Sequence, residues 1–424
     1  MQNNLEEMQK EQRKGLNRKI LVFLLVTIFL NMMGMTVIGP VLPFIVQHYL
    51  SNQNNLAAVV GWLSSVYAVC QFIAAPGLGA LSDRFGRRPL LLICILGSAI
   101  GYILFGIGGA LWVLFLSRII DGLTGGNFSI LFAYIADVSE PEDRGRLFGL
   151  LGAVSGTGFI LGPAIGGLTA RLGYQVPVYL AAGITIVNLL WGYFFLTESL
   201  SKEHRAEHMS VADVNPFKQL RTVFALPQLR WLLLAGFFYA FPFSVLTSNL
   251  SVLMIDQLRW QATQLGFISL AVGVMDILTQ GVLVGKLLPI FGEIKLAIIG
   301  LILQAISYIL LGAVAYFASP ILLIAGVALF ASSGGLVEPS LGGLLSRATD
   351  PRQQGTVQGG GQAIQSLARI AGPFYGGELY TQFGRETPYW SGAAILGLTI
   401  LSVVLAIPTL RKENASRQNS QDTL

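Results

Sequence analysis

The sequence predicts an all-α membrane protein with twelve transmembrane helices in two pseudo-symmetric six-helix bundles. Three observations carry this reading. Hydrophobic residues make up 53% of the 424-residue chain and charged residues 12%, about half the charged share of soluble domains, and mean hydropathy is +0.65. Twelve apolar runs, each about 20 residues or longer as a bilayer crossing requires, lie at 20–46, 57–81, 89–109, 111–137, 146–171, 176–197, 229–255, 262–287, 294–317, 319–346, 354–382 and 388–409. Finally, the two halves of the chain repeat one another at a fixed offset. The 49 glycines suit closely packed helices in lipid.

Residues 1–19 form a basic segment (Lys10, Arg13, Lys14, Arg18, Lys19) ahead of span one. That span is too long for the core of a signal peptide, and no small-residue cleavage site follows it, so it is expected to stay attached. Spans two and three are joined by Gly79-Ala-Leu-Ser-Asp83-Arg84-Phe-Gly86-Arg87-Arg88-Pro. Charges are costly at a bilayer centre, so this loop must lie at a membrane surface. Asp83 can accept from the arginines or cap a helix N-terminus, where the dipole favours an anion. Cys70 and Cys94 read as packing residues.

Span four carries Arg118 and Asp121, which share a helix face at i, i+3 and can neutralise each other. Either the pair is static, or protonation of Asp121 frees Arg118 and couples proton occupancy to a conformational change. Span five carries Gly158-x-x-x-Gly162-Pro163-x-x-Gly166-Gly167. Glycines spaced by four make a smooth face for close helix contact, and Pro163 removes a backbone donor. The first half thus covers residues 20–197. A polar segment at 198–228 reads as a linker with a short surface helix. The second half covers 229–409, and 410–424 form a tail.

In the second half Asp276 lies near the middle of span eight and Arg369 near the middle of span eleven, with Glu338 just before Pro339 in span ten. Intramembrane ionisable groups are functional candidates by default. Either Arg369 pairs permanently with one of the acids, or Asp276 and Glu338 carry protons or touch substrate. Glu378, near the end of span eleven, carries little weight.

The repeat is direct. Pro141-x-x-x-Gly145 and Gly162-Pro163-x-x-Gly166-Gly167 recur as Pro351-x-x-x-Gly355 and Gly372-Pro373-x-x-Gly376-Gly377, while Gly125-Gly126 returns as Gly334-Gly335. The charged loop has a worn copy, Gly285-Lys286-Leu-Leu-Pro-Ile-Phe-Gly292-Glu293. It keeps both glycines and loses the aspartate, which leaves the first-half loop as the expected charge-based gate.

Charge placement excludes other classes. With both termini inside, 22 of the 27 Lys and Arg residues fall on the inner side, three (Arg171, Arg259, Arg385) outside and two (Arg118, Arg369) within spans, as the positive-inside rule expects. The net charge of +5 therefore reflects topology and needs no nucleic-acid partner. The chain lacks the His-Glu-x-x-His, Gly-x-Ser-x-Gly and nucleotide-loop signatures, so neither an enzyme nor direct use of ATP is expected. No metal site and no cofactor are expected.

These motifs resemble the major facilitator superfamily. The loop matches its Gly-x-Leu-x-Asp-Arg-x-Gly-Arg-Arg signature, and span five matches in full the Gly-x-x-x-Gly-Pro-x-x-Gly-Gly motif of its drug/proton antiporters. Gly34-x5-Pro40-Val41-Leu42-Pro43 is similar to the span-one pattern of the twelve-helix branch, and Arg118-x-x-Asp121-Gly122 is similar to its Arg-x-x-Gln-Gly with Asp for Gln. The chain looks like the tetracycline and multidrug efflux branch over nearly its whole length.

The resemblance implies proton-coupled efflux of amphipathic small molecules by alternating access. The proton gradient would supply the energy, and the chain would act as a monomer in the cell membrane. Gly79, Asp83, Arg84, Gly86, Arg87 and Arg88 would latch the outward-facing state. The sequence departs from tetracycline pumps at three positions where they carry acids in spans one, three and nine, and where Asn31, Gly101 and Gln304 stand here. Arg369 replaces a small residue. The alternative is a proton-linked or facilitative transporter of a metabolite, such as an organic anion held by Arg369.

Overall fold

The computed structural model describes residues 2–139, 143–206, 215–217, 226, 229–349 and 354–421. The first residues of both Pro-x-x-x-Gly repeats and most of the linker, including its expected surface helix, lie outside the described residues. The described part of the linker holds a 3-10 turn at Lys202–His204.

Among the described residues the chain is helical, with no strand. The helices are α1 (Gln2–Val37), α2 (Leu56–Phe85), α3 (Arg87–Ile107) and α4 (Leu111–Thr124), which continues through a 3-10 turn into Phe128–Val138. There follow α5 (Arg144–Thr169), α6 (Val176–Phe195), α7 (Arg230–Leu258) and α8 (Ala262–Leu278), which a π-helical turn at Thr279–Val284 links to α9 (Gly285–Phe317). Last come α10 (Pro320–Arg347), α11 (Gln354–Phe383) and α12 (Thr387–Gln421).

Among the described residues, ten continuous helical stretches are long and apolar enough to cross a membrane. One of them, Ala262–Phe317, has 56 residues. At ~1.5 Å per residue it would run far beyond the ~30 Å core of a bilayer, so it must fold back. It does so at Gly292, whose φ of 72° lies outside helical space, which makes eleven crossings. The twelfth is α11, too polar to read as a lipid-facing span because Gln358, Gln362, Gln365 and Arg369 lie along it. The twelve-helix fold is thus present.

One boundary differs from the sequence reading. Residues 20–46 read as one span, but α1 ends at Val37, a turn follows at 38–41, and Leu42–Gln47 forms a short helix of its own. Pro40 and Pro43 offer no amide donor, so helical hydrogen bonding cannot run through.

The chain divides into two compact units. The first comprises Met1–Val41 and Val69–Asn215, the second Leu42–Ala68 and Pro216–Leu424, so α2 contributes to both. In the first unit α1 packs on α5 and α6, and α3 on α4 and α6. In the second α7 packs on α11 and α12, and α9 on α10 and α12. Each pairing recurs among helices six further along the chain, the three-dimensional counterpart of the sequence repeat.

The core of the first unit gathers Phe23, Leu24 and Ile28 of α1 against Leu91, Ile130 and Tyr134, all buried. Large apolar side chains are exposed outside, as a lipid solvent permits. Trp112, Phe194 and Phe317 stand exposed near helix ends, where aromatic side chains favour the membrane interface.

Candidate functional site

The sequence candidates fall into four places, two in the first unit, one in the second and one with a counterpart in each. The α2–α3 loop turns at Gly86, whose φ of 106° is a conformation only glycine adopts without strain. Arg87 is nearly buried. It pairs with Asp83 and with Asp137 at the end of α4 at 3.2 Å, and it donates to Ser82 Oγ at 2.7 Å. Arg88 donates to the Tyr193 carbonyl, while Arg84 lies over the Phe85 ring. Gly79 sits beside Ser129 of α4.

Asp83 does not cap α3. Glu198, just past α6, does so, accepting from the backbone amides of Arg87 at 2.8 Å and Arg88 at 3.3 Å. An anion at a helix N-terminus satisfies free donors and suits the dipole. Glu198 also faces Arg205 of the linker at 3.9 Å, and the Asp83 carbonyl accepts from the Ala206 amide at 3.0 Å. The linker's start is therefore tied to the loop. Sequence patterns could not find Glu198, because its contacts lie 111 residues away.

The worn copy in the second unit keeps more than its sequence shows. Gly292 takes the positive φ of Gly86, and Glu293 pairs with Arg347 at the end of α10 at 3.0 Å. The Arg87–Asp137 bridge from the base of α3 to the end of α4 thus recurs between α9 and α10 with its charges exchanged. Both loops carry a charge clamp.

In α4, Arg118 Nη1 lies 3.5 Å from Asp121 Oδ2, with side chains 8% and 3% exposed. The guanidinium stacks over Phe105, 4.7 Å from the ring centroid, a favourable place for a desolvated cation. Ser98 lies within reach of the Asp121 carboxylate. A methyl group at Gly101 would stand 2.9 Å from Asp121 Cβ. Asp121 of α4 thus lies directly against α3 at Gly101. Asn31, at the span-one position, is bonded by its amide to Asn127 of α4 at 3.1 Å.

The second unit brings Asp276, Glu338 and Arg369 into one electrostatic neighbourhood. Glu338 feels both Asp276 and Arg369, and Arg369 feels Glu338 and Tyr67. No ion pair within 4.0 Å involves Arg369 among the described residues, so a permanent contact pair with either acid is not formed. Glu338 and Arg369 are solvent-accessible. Asp276 is half-buried and accepts from Gln280 Nε2 at 2.9 Å, and Thr279 and Asp276 press against Gly335 of α10. Both acids act electrostatically on Tyr239 of α7, whose hydroxyl lies by Gly334 of α10. Sequence patterns single out neither Tyr239 nor Tyr67, since nothing in either local pattern marks a polar neighbour.

The span-five motif of α5 lies against α1. A methyl group at Gly158 would stand 2.6 Å from the Phe29 carbonyl oxygen. Gly162 meets Thr36, Gly166 meets the Val37 carbonyl, and Gly167 is buried, with Pro163 inside the helix. In the second unit Gly372 and Gly376 meet Ser244 and Asn249 of α7 in the same way. Side chains larger than hydrogen would separate these helices.

Two repeated six-helix units with clamped loops and ionisable groups in mid-helix define a membrane transporter. The family model described as the Major Facilitator Superfamily matches residues 24–275 and 232–423, and the chain belongs to that superfamily. It is a multi-pass transporter of small molecules, not an enzyme.

The chain is 35% identical over 404 residues to the tetracycline resistance protein, class C, of Escherichia coli, covering 94% of this chain and 98% of that protein. To multidrug resistance protein 2 of Bacillus subtilis (strain 168) it is 28% identical over 377 residues, covering 87% and 91%. Among solved structures it is similar to the human organic anion transporter MFSD10, with a TM-score of 0.68, 26% identity, and coverage of 91% of this chain and 99% of that chain. A nucleoside transporter, NupG, shares the fold at a TM-score of 0.71 and 12% identity over 92% and 99% of the two chains.

Proposed function

We propose that this protein exports amphipathic, drug-like molecules in exchange for protons. It would work as a monomer in the cell membrane with both termini in the cytoplasm. The observation that carries the reading is the complete antiporter motif of α5, seated glycine by glycine on α1, in a chain similar along nearly its whole length to proteins named for tetracycline and multidrug resistance. Proton coupling draws support from the acids. Asp121 lies beside Gly101, the span-three position that lacks its carboxylate, and Asp276 reaches Gly335, one turn before Glu338 on α10. Binding and release of protons at these groups would bias the two units between alternating states.

The test is extrusion of tetracycline and ethidium from energised membrane vesicles. Transport of either probe, abolished by a proton uncoupler and by Asp276→Asn, Glu338→Gln or Asp121→Asn, is expected. Transport that ignores the uncoupler, or that all three variants leave intact, would overturn the coupling. A second reading rests on Arg369, an accessible cation without a contact partner carboxylate, in a chain similar to an organic anion transporter. There Arg369 holds an anionic substrate, and Arg369→Ala loses uptake of a fluorescent organic anion while keeping that of ethidium.

A further inference from the structure

The first unit carries an apolar groove that the transport site does not use. It runs between α3 and α6, has a volume of about 380 Å³ and is lined by Leu92, Ile93, Leu96, Leu189, Leu190 and Tyr193. Pockets that hold small ligands measure ~300–1,000 Å³. The local sequence shapes the groove. Gly192 has no side chain, and a methyl group there would stand 2.9 Å from Leu92 Cδ2, so the two helices meet closely beneath it. Ile93 and Leu96 on one wall, and Leu190 and Tyr193 on the other, are left exposed.

One end of the groove is basic. Arg88 lies one turn before Leu92 and two turns before Leu96, on the same face of α3. Its Nη2 donates at 2.6 Å to the carbonyl of Tyr193, in the last turn of α6, where carbonyls lack helical partners. The guanidinium therefore bridges the two walls where they reach the membrane surface, beside the α2–α3 loop. The carboxylates around it are engaged elsewhere. Asp83 and Asp137 hold Arg87, and Glu198 accepts from the amides of Arg87 and Arg88 and faces Arg205. No ion pair within 4.0 Å involves Arg88 or Arg84 among the described residues. Arg84 is exposed on the same loop, 5.4 Å from the centroid of the exposed Phe85 ring.

We propose that the α3–α6 groove binds an anionic phospholipid, with one acyl chain along Leu92, Leu96 and Leu189 and the phosphate on Arg88. Basic pockets between membrane helices recognise anionic headgroups in this way. A zwitterionic lipid fills the apolar walls equally well, but it brings its own cation to a rim that already holds Arg88 and Arg84. From Arg88 to Leu96 the helix rises about 12 Å, less than half of the ~30 Å hydrocarbon core, so the site stays within one leaflet. The inference goes beyond the transport reading and depends on neither the substrate nor proton coupling.

The test is lipid binding by the full chain purified in detergent. Dioleoylphosphatidylglycerol and dioleoylphosphatidylcholine are added at equal mole fraction, retained lipid is counted by native mass spectrometry, and the melting temperature is read in each. The parent is expected to retain phosphatidylglycerol preferentially and to melt higher in it. Arg88→Gln should weaken that retention about fivefold, the worth of one basic residue at an anionic lipid surface, while Arg88→Lys keeps most of it. Leu96→Trp and Ile93→Trp fill the groove and leave every charge in place, and they should lower retention as well. Variants are compared through the difference between the two lipids, with a cooperative melt in phosphatidylcholine, which separates a lost site from a damaged fold. Equal retention of both lipids by the parent, or unchanged preference in Arg88→Gln or in both tryptophan variants, would overturn the site. Glycerol 3-phosphate that stabilises the parent as well as phosphatidylglycerol does would reduce it to an anion site and overturn the lipid.

Discussion

Replacing Asp121 by Asn removes one partner of an ion pair that is almost wholly out of water. At the observed 3.5 Å two unit charges attract by about 5 kcal/mol at an effective dielectric of ~20. Desolvation of both groups offsets much of this, so the intact pair contributes little net stability. Its loss is different, because Arg118 cannot shed its proton and stays buried as a cation. Stacking on Phe105 returns at most about 2 kcal/mol, and single removal of a buried partner typically costs about 3–5 kcal/mol.

Asp121→Asn should therefore destabilise the protein by about 3 kcal/mol. Arg118→Met should cost less, since the stranded carboxyl can protonate. The Arg118→Met/Asp121→Leu double variant should recover most of the loss, because an apolar replacement of both charges is close to neutral. The assay is equilibrium unfolding of purified protein in mixed micelles with increasing SDS, read as a double-mutant cycle whose single variants are Arg118→Met and Asp121→Leu. A coupling of about 2 kcal/mol is expected, within the range for contacting residues. Additivity to within about 0.5 kcal/mol, the behaviour of independent sites, would refute the pairing and with it any proton-driven release of Arg118.

Two further outcomes follow from packing and from the exchanged clamp. Gly158→Val should force α5 from the Phe29 carbonyl of α1 and lower stability by about 1–3 kcal/mol or more, seen as a lower melting temperature in detergent; an unchanged melting temperature would contradict the close contact. Glu293→Arg places two cations together near Arg347, whose side chain is 67% exposed. The cost should stay within about 1 kcal/mol, and Glu293→Arg/Arg347→Glu should restore it, with equal melting temperatures for single and double variants counting against the clamp.

Much of this architecture was legible along the chain. Hydropathy marked the crossings other than the polar α11, because lipid selects apolar side chains residue by residue. The glycine spacing of α5 announced a close contact, and only the identity of its partner, α1, was hidden. The break after Val37 was also readable in principle, since Pro40 and Pro43 deny the amides that a continuous span needs.

Other features lie outside any local pattern. The cap of α3 comes from Glu198, more than a hundred residues on. The loop copy near Gly292 reads as worn in sequence because its aspartate is gone, yet in space it holds Glu293 against Arg347, a clamp visible only when helix ends meet. Asp121 of α4 packs against Gly101 of α3, and Asp276 of α8 against Gly335 of α10.

The sequence by itself determined the class of machine, its twelve crossings and its duplicated plan, because solvent preference and repetition are properties summed along the chain. Tertiary structure alone decided which charges meet and which polar groups are buried, because a side chain's partner, and the water it loses, are set by the helix that packs across from it.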